Sequence, residues 1–143
     1  MLIEVPFEVV ELEKNSYHLF VKCKLNGEQY GDLVIDTGAS KTVLDRNFVD
    51  QYRSMEKEEE SVQSSGLGGG KIDTEMVEVS SLQIGDLEVF TIRLALIDLS
   101  EINQMYEKYC NRKISGLLGS DFLLQHQACI DYHRKRLVFR NSD

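Results

Sequence analysis

Residues 33–40 read Leu-Val-Ile-Asp-Thr-Gly-Ala-Ser. Three large apolar residues in a row describe a strand covered on both faces, and a carboxylate follows at once. Asp36 is thereby drawn toward a low-dielectric setting, where an ionised group needs partners. Thr37 and Gly38 allow a tight turn whose N–H groups and hydroxyl can hold that carboxylate. Taken alone, such an Asp reads as an Asx-turn or a cap at a strand-to-helix junction. In either case the chain must bury this strand on two sides and turn sharply after it.

The flanking sequence supplies other strands. Residues 17–25 alternate cleanly and lead into Asn26-Gly27, the strongest short hairpin signal, because both central residues of a type I′ turn need positive φ; residues 30–36 return. Residues 2–12 alternate loosely, and Pro6 within them favours an edge. Residues 76–84 and 87–97 read as two strands joined at Gly85-Asp86. Residues 114–119 form a short buried strand, and 128–132 with 136–140 a closing hairpin. Helical spacing is confined to three short stretches. One covers residues 45–58, with Phe48, Val49, Tyr52 and Met55 on one side. The second covers 98–109, with Asp98 or Ser100 as N-cap and Ile102, Met105 and Tyr109 on one face. The third covers 121–126, with Asp121 as its cap. The fold class is mostly β with one to three short helices. No linker divides residues 1–143, so a single domain is expected.

A net charge of −8 argues against a nucleic-acid partner, since phosphate binding needs clustered Lys and Arg. The one basic cluster, His133-Arg134-Lys135-Arg136, reads as a solvated turn between strands. The charged run 57–60 reads as a solvated loop or helix end. No apolar run is long enough for a membrane span. No basic segment followed by an apolar stretch opens the chain, so no signal peptide is visible and the compartment stays open. The three cysteines and three histidines lack metal-ligand or disulfide spacing; no metal and no cofactor is expected. Cys23 and Cys129 lie in apolar strands and read as buried free thiols.

Two further segments bear on Asp36. Residues 64–70 read Ser-Ser-Gly-Leu-Gly-Gly-Gly. A phosphate loop needs Gly-Lys-Ser/Thr between a strand and a helix, but Gly70-Lys71 is followed by Ile72 and strand-like sequence. A dinucleotide fingerprint opening a helix is missing too. Residues 114–123 then read Ile-Ser-Gly-Leu-Leu-Gly-Ser-Asp-Phe-Leu.

Together, in this order, the three segments resemble the retroviral-type (retropepsin-like) aspartic proteases, including the cellular Ddi1-type domains. The resemblance runs from about Tyr17 to Phe139. It implies a closed acid-protease barrel or sandwich with a flap hairpin. It also implies that Asp36 is catalytic, within a loop of Thr37, Gly38, Ala39 and Ser40. Gly66, Leu67, Gly68, Gly69 and Gly70 would form the flap over a peptide, where glycine lets backbones approach closely. Leu117, Leu118 and Gly119 would pack beneath the loop, with Leu67, Leu117 and Leu118 also lining pockets. The chain departs from compact viral enzymes in the acidic stretch near 56–60 and in the helix near 98–109.

With one Asp-Thr-Gly per chain, a carboxylate dyad requires a second copy. The implied activity is therefore that of a homodimeric aspartic endopeptidase, its partners being itself and a peptide or protein substrate. The alternative is an inactive binding or dimerisation module on the same fold.

Overall fold

The computed structural model describes residues 1–55 and 73–140. In chain order the elements are β1 (Leu2–Pro6), β2 (Glu8–Glu13), β3 (Ser16–Leu25), β4 (Gln29–Ile35), β5 (Val43–Asp45), β6 (Arg53–Ser54), β7 (Glu75–Ile84), β8 (Leu87–Ile97), α1 (Ser100–Cys110), β9 (Gly116–Leu118), α2 (Ser120–Gln125), β10 (Cys129–Asp131) and β11 (Arg136–Arg140).

Hairpins build the scaffold. Asn26 and Gly27 take φ of 53° and 72°, as a type I′ turn requires, and Glu28 N–H donates to the Leu25 carbonyl at 3.0 Å. β3 and β4 pair antiparallel across this turn. Gly85 turns β7 into β8 with φ of 59°. The larger sheet runs β2-β3-β4-β9-β5-β8-β7-β6, and β7 pairs back onto β3 through Lys24↔Gln83 and Leu25↔Leu82. Six strands therefore close a barrel, with β2 and β6 attached outside it. A second sheet, β1-β11-β10, joins both ends of the chain. Pro6 sits on its outer strand, paired on one side only.

The continuous apolar runs find their reason in two cores. Leu33 and Ile35 of β4, Leu44 of β5, Leu94 and Leu96 of β8 and Leu118 of β9 enter the main core. Their neighbours Val34, Val43, Ala95, Ile97 and Leu117 enter a second one, with Phe20, Leu99, Tyr106 and Ile114. A strand with solvent on one face would alternate; these cannot, because α1 covers their outer face. Each Val, Leu, Ile or Phe so buried contributes roughly 1.5–3 kcal/mol.

Several expectations are revised. Residues 45–55 form no helix. Asp45 Oδ1 accepts the Asn47 N–H at 3.2 Å, as at a helix start, but Gln29 Nε2 donates to the Phe48 carbonyl at 2.8 Å and so occupies a backbone acceptor that a continuing helix would use. Residues 2–12 make two strands rather than one, broken at buried Phe7, whose N–H donates to the Lys135 carbonyl at 3.1 Å. On α1 the buried residues are Asn103 and Tyr106, while Met105 and Tyr109 are exposed. The barrel supplies a carboxylate and a carbonyl for Asn103, which outweighs the apolar stripe. Leu99 holds the N-cap position; Asp98 serves the helix by accepting the Ser100 N–H at 2.9 Å. Gly119 precedes α2 as its N-cap, so Asp121 lies inside the first turn. Cys23 is buried, and burial pushes its thiol up to about 12; Cys129 is exposed. The basic turn closes β10 onto β11, and its Arg134 is paired with Asp131 and Glu4. The run 57–60 lies outside the described residues. Among those described, no helix is long and apolar enough to cross a membrane.

One packing feature carries a pH dependence. His126 at the end of α2 packs against Phe122 and Phe139, with ring centroids at 4.5 and 6.3 Å, and its buried Nε2 has no partner among the described residues. Burial lowers its pKa. The folded state thus resists protonation: stability is intact above about pH 6.5 and falls as the pH drops below it. His126→Phe is expected to stabilise the protein by roughly 1 kcal/mol and to flatten the fall of Tm in acid. Thermal unfolding from pH 7.5 to 4.5 checks this; an unchanged slope contradicts it. Burial also lowers the pKa of His18, the larger influence there, against the charge of Asp36, so one substitution removes only part of the slope.

Candidate active site

The Asp36 loop is fixed from behind by β9. β4 and β9 run parallel, with Ile35 opposite Leu118, and Asp36 N–H donates to the Leu118 carbonyl at 2.9 Å. Ala39 N–H donates back to the Asp36 carbonyl at 3.2 Å, closing the turn, and Gly38 N–H donates to Asp36 Oδ1 at 3.0 Å. Ser120 N–H reaches the Ala39 carbonyl at 2.8 Å, so α2 begins on the loop itself. Ala39 is fully buried, Asp36 half-buried, and Thr37, Gly38 and Ser40 exposed. The turn therefore presents a carboxylate at the surface on a rigid mount.

Thr42 locks the mount. Its Oγ1 donates to Asp121 Oδ1 at 2.8 Å and accepts the Gly119 N–H at 3.0 Å, while its own N–H reaches Asp121 Oδ1 at 2.9 Å. Thr42 is 1% exposed, so its own N–H and hydroxyl have no water to fall back on, whereas Asp121 is exposed. Thr42→Val keeps the shape and strands the buried Gly119 N–H, while Asp121 Oδ1 keeps the Thr42 and Phe122 N–H donors. The expected loss is about 1–3 kcal/mol of stability, measured by urea unfolding; a loss under a few tenths contradicts the lock.

Leu117 and Thr37 line a cavity of about 390 Å³ beside Asp36, together with Val34, Ile102 and Met105. Leu118 does not line it: its side chain is fully buried in the main core and only its carbonyl serves the loop. Sequence reasoning missed the polar side of this cavity: Tyr17 and His18 of β3, Tyr106 of α1 and Tyr132, with His18 Nδ1 2.8 Å from the Tyr106 hydroxyl. Burial pushes the Tyr106 phenol up to about 12, helped by the nearby charge of Asp36. Helix α1 is anchored over the site by Asn103, whose amide brackets Ile114: Nδ2 donates to its carbonyl at 3.0 Å and Oδ1 accepts its N–H at 2.7 Å. Asp45, 1% exposed, accepts the Leu99 N–H at 3.2 Å and ties β5 to the same helix.

Gly66, Leu67, Gly68, Gly69 and Gly70 lie outside the described residues. The strands on either side of them, β6 and β7, pair antiparallel through Arg53↔Glu78 and Ser54↔Val77.

Comparison with known proteins agrees with this architecture. The family model described as aspartyl protease matches residues 21–122. Curated protein sequences give no match. Among solved structures, the chain is similar to the retroviral protease-like domain of Ddi1 from Leishmania major, at 16% identity over 87% of this chain and 90% of that one, with a TM-score of 0.50. It is similar to a retropepsin-like aspartic protease from Rickettsia conorii, at 16% identity over 97% and 90%, with a TM-score of 0.51. It is also similar to the EIAV protease solved with an inhibitor, at 15% identity over 85% and 99%, with a TM-score of 0.53. The barrel is the retropepsin-like fold, and the family match spans most of the sequence: the chain belongs to the aspartyl protease family.

Proposed function

We propose that the chain is one aspartic endopeptidase domain that works as a homodimer, with Asp36 of each copy forming a shared catalytic dyad. The observation that carries the reading is the Asp36 turn, which presents a half-buried carboxylate, held by Gly38 N–H, at the edge of a cavity. One such carboxylate serves as base or acid, not both at once. Two of them about 3 Å apart on a two-fold axis cannot both ionise, so they share a proton. The ionised partner takes a proton from water as its oxygen attacks the peptide carbonyl carbon, and the protonated partner gives its proton to the carbonyl oxygen. Return of a proton to the amide nitrogen then breaks the C–N bond. No covalent enzyme intermediate and no metal enter this scheme.

In this reading the exposed Thr37 braces the matching loop of the second copy, and Ser40 supports the carboxylate. Gly66 to Gly70, with Leu67, close over the peptide as a flap and pair with its backbone. Leu117 lines the side-chain pocket, and Leu118 and Gly119 support the loop. A mixed peptide library incubated at mildly acidic pH and read by mass spectrometry tests the proposal. Defined internal cleavage, competed by a statine transition-state analogue, is expected; an intact library at all protein concentrations contradicts it.

A further inference from the structure

The cavity beside Asp36 is apolar along Val34, Ile102, Met105 and Leu117. Acid–base hydrolysis by a carboxylate pair uses no imidazole, yet His18 stands on this wall. Its ring is held in place. Tyr106, 3% exposed, meets His18 edge-on at 5.4 Å and Phe20 edge-on at 5.6 Å. The Tyr106 hydroxyl lies 2.8 Å from His18 Nδ1. A buried phenol O–H needs an acceptor, and Nδ1 is the one at hand, so the phenol donates. The imidazole proton then resides on Nε2. Desolvation lowers the pKa of the ring, the larger influence there, against the pull of the Asp36 charge, and so favours the neutral form. With Nδ1 engaged, the nitrogen left to a ligand is an N–H donor, on a wall where Val34, Ile102, Met105 and Leu117 supply apolar surface and Tyr17 and Tyr132 stand at the side.

We propose that His18, oriented by Tyr106, determines specificity by donating a hydrogen bond to the side-chain carbonyl of a glutamine next to the scissile bond. The inference rests on the protease reading and adds a substrate class to it. A glutamine has an apolar stem for Val34, Ile102 and Leu117 and ends in an acceptor. A leucine leaves the donor unpaired in a desolvated site, which is costly. A glutamate brings a second negative charge beside Asp36. A lysine offers only donors to a donor and loses hydration among apolar side chains. Two-fold symmetry presents the same pocket on both sides of the bond, so the preference applies to either flanking residue.

The test uses the best-cleaved library peptide, remade with Gln, Leu or Glu at each flanking position, and measures kcat/KM. The wild-type protein is expected to prefer Gln over Leu by about tenfold, the scale of one neutral hydrogen bond in a dry site, and to cleave the Glu peptide least. His18→Leu is expected to invert the Gln-to-Leu ratio. Tyr106→Phe removes only the hydroxyl and frees the ring; the ratio should fall severalfold, a change that loss of packing alone does not produce, since it would weaken both peptides alike. An unchanged ratio in both variants, with cleavage continuing, overturns the His18 assignment and leaves the protease reading standing. Failure of the wild-type protein to cleave any peptide overturns the protease reading, and this inference with it.

Discussion

Asp36→Asn is expected to lower peptide cleavage by about 10³-fold or more while Tm moves by no more than a degree or two. Asparagine matches the volume of aspartate and still offers Oδ1 to the Gly38 N–H, the contact that closes the turn. Nothing in the loop has to shift. What disappears is the proton shared between two carboxylates, and an amide can neither take a proton from water nor donate one to a carbonyl. Acid–base groups of this kind contribute about 10²–10⁴-fold, and in a symmetric dimer one substitution removes both. Steady-state cleavage of a fluorogenic peptide, paired with a melting curve, checks the result. A variant that cleaves as well as the parent removes Asp36 from the chemistry; one that unfolds assigns it a structural role.

Gly119→Ala is expected to cost about 3 kcal/mol and roughly 10 °C in Tm, and to abolish cleavage. A Cβ built there lies 2.7 Å from the backbone C and O of Lys41 and 2.9 Å from the Ala39 carbonyl oxygen. These atoms belong to the segment that carries Asp36 into β5, and none is the movable end of a side chain. Either the loop retreats or α2 does, and both move the carboxylate; overpacking of this kind costs about 1–3 kcal/mol or more. The backbone at Gly119, with φ of −90° and ψ of 176°, suits any residue, so the cost is contact alone. Gly27→Ala is the matched control. Its φ is +72° and its Cβ meets nothing within 4 Å, so it carries only the backbone cost of about 1 kcal/mol and leaves the site alone. Urea unfolding of both variants, with activity, separates the two costs. Equal losses contradict the close packing of β9 against the loop.

The barrel and the Asp36 turn were legible in the sequence because their signals are local. Leu33-Val34-Ile35 reads as a strand covered on both faces, and the two cores divide those residues as that reading requires. Asn26-Gly27 specifies its own turn. Two of the misreadings share a cause: a distant side chain took a backbone group or a burial site that local spacing had assigned elsewhere. Phe48 and Val49 carry helical spacing, but Gln29, 19 residues away, takes the Phe48 carbonyl. On α1 the apolar stripe pointed to Ile102, Met105 and Tyr109, yet Asn103 and Tyr106 are buried, one by bonds to Ile114 and the other among Phe20 and His18. His18 and Tyr106 stand 88 residues apart, and no short motif joins them. They are neighbours only once the barrel closes and α1 lies across it.

The central claim, that one chain carries half of an active site, is tested most directly by subunit mixing. Wild-type protein at fixed concentration is equilibrated with roughly ninefold excess of Asp36→Asn, and cleavage of one peptide is followed. If the dyad forms between copies and subunits exchange, most wild-type chains pair with an inert partner, and activity falls to about one-tenth. Unchanged activity across the mixing series would mean that each chain works alone, and would contradict the account.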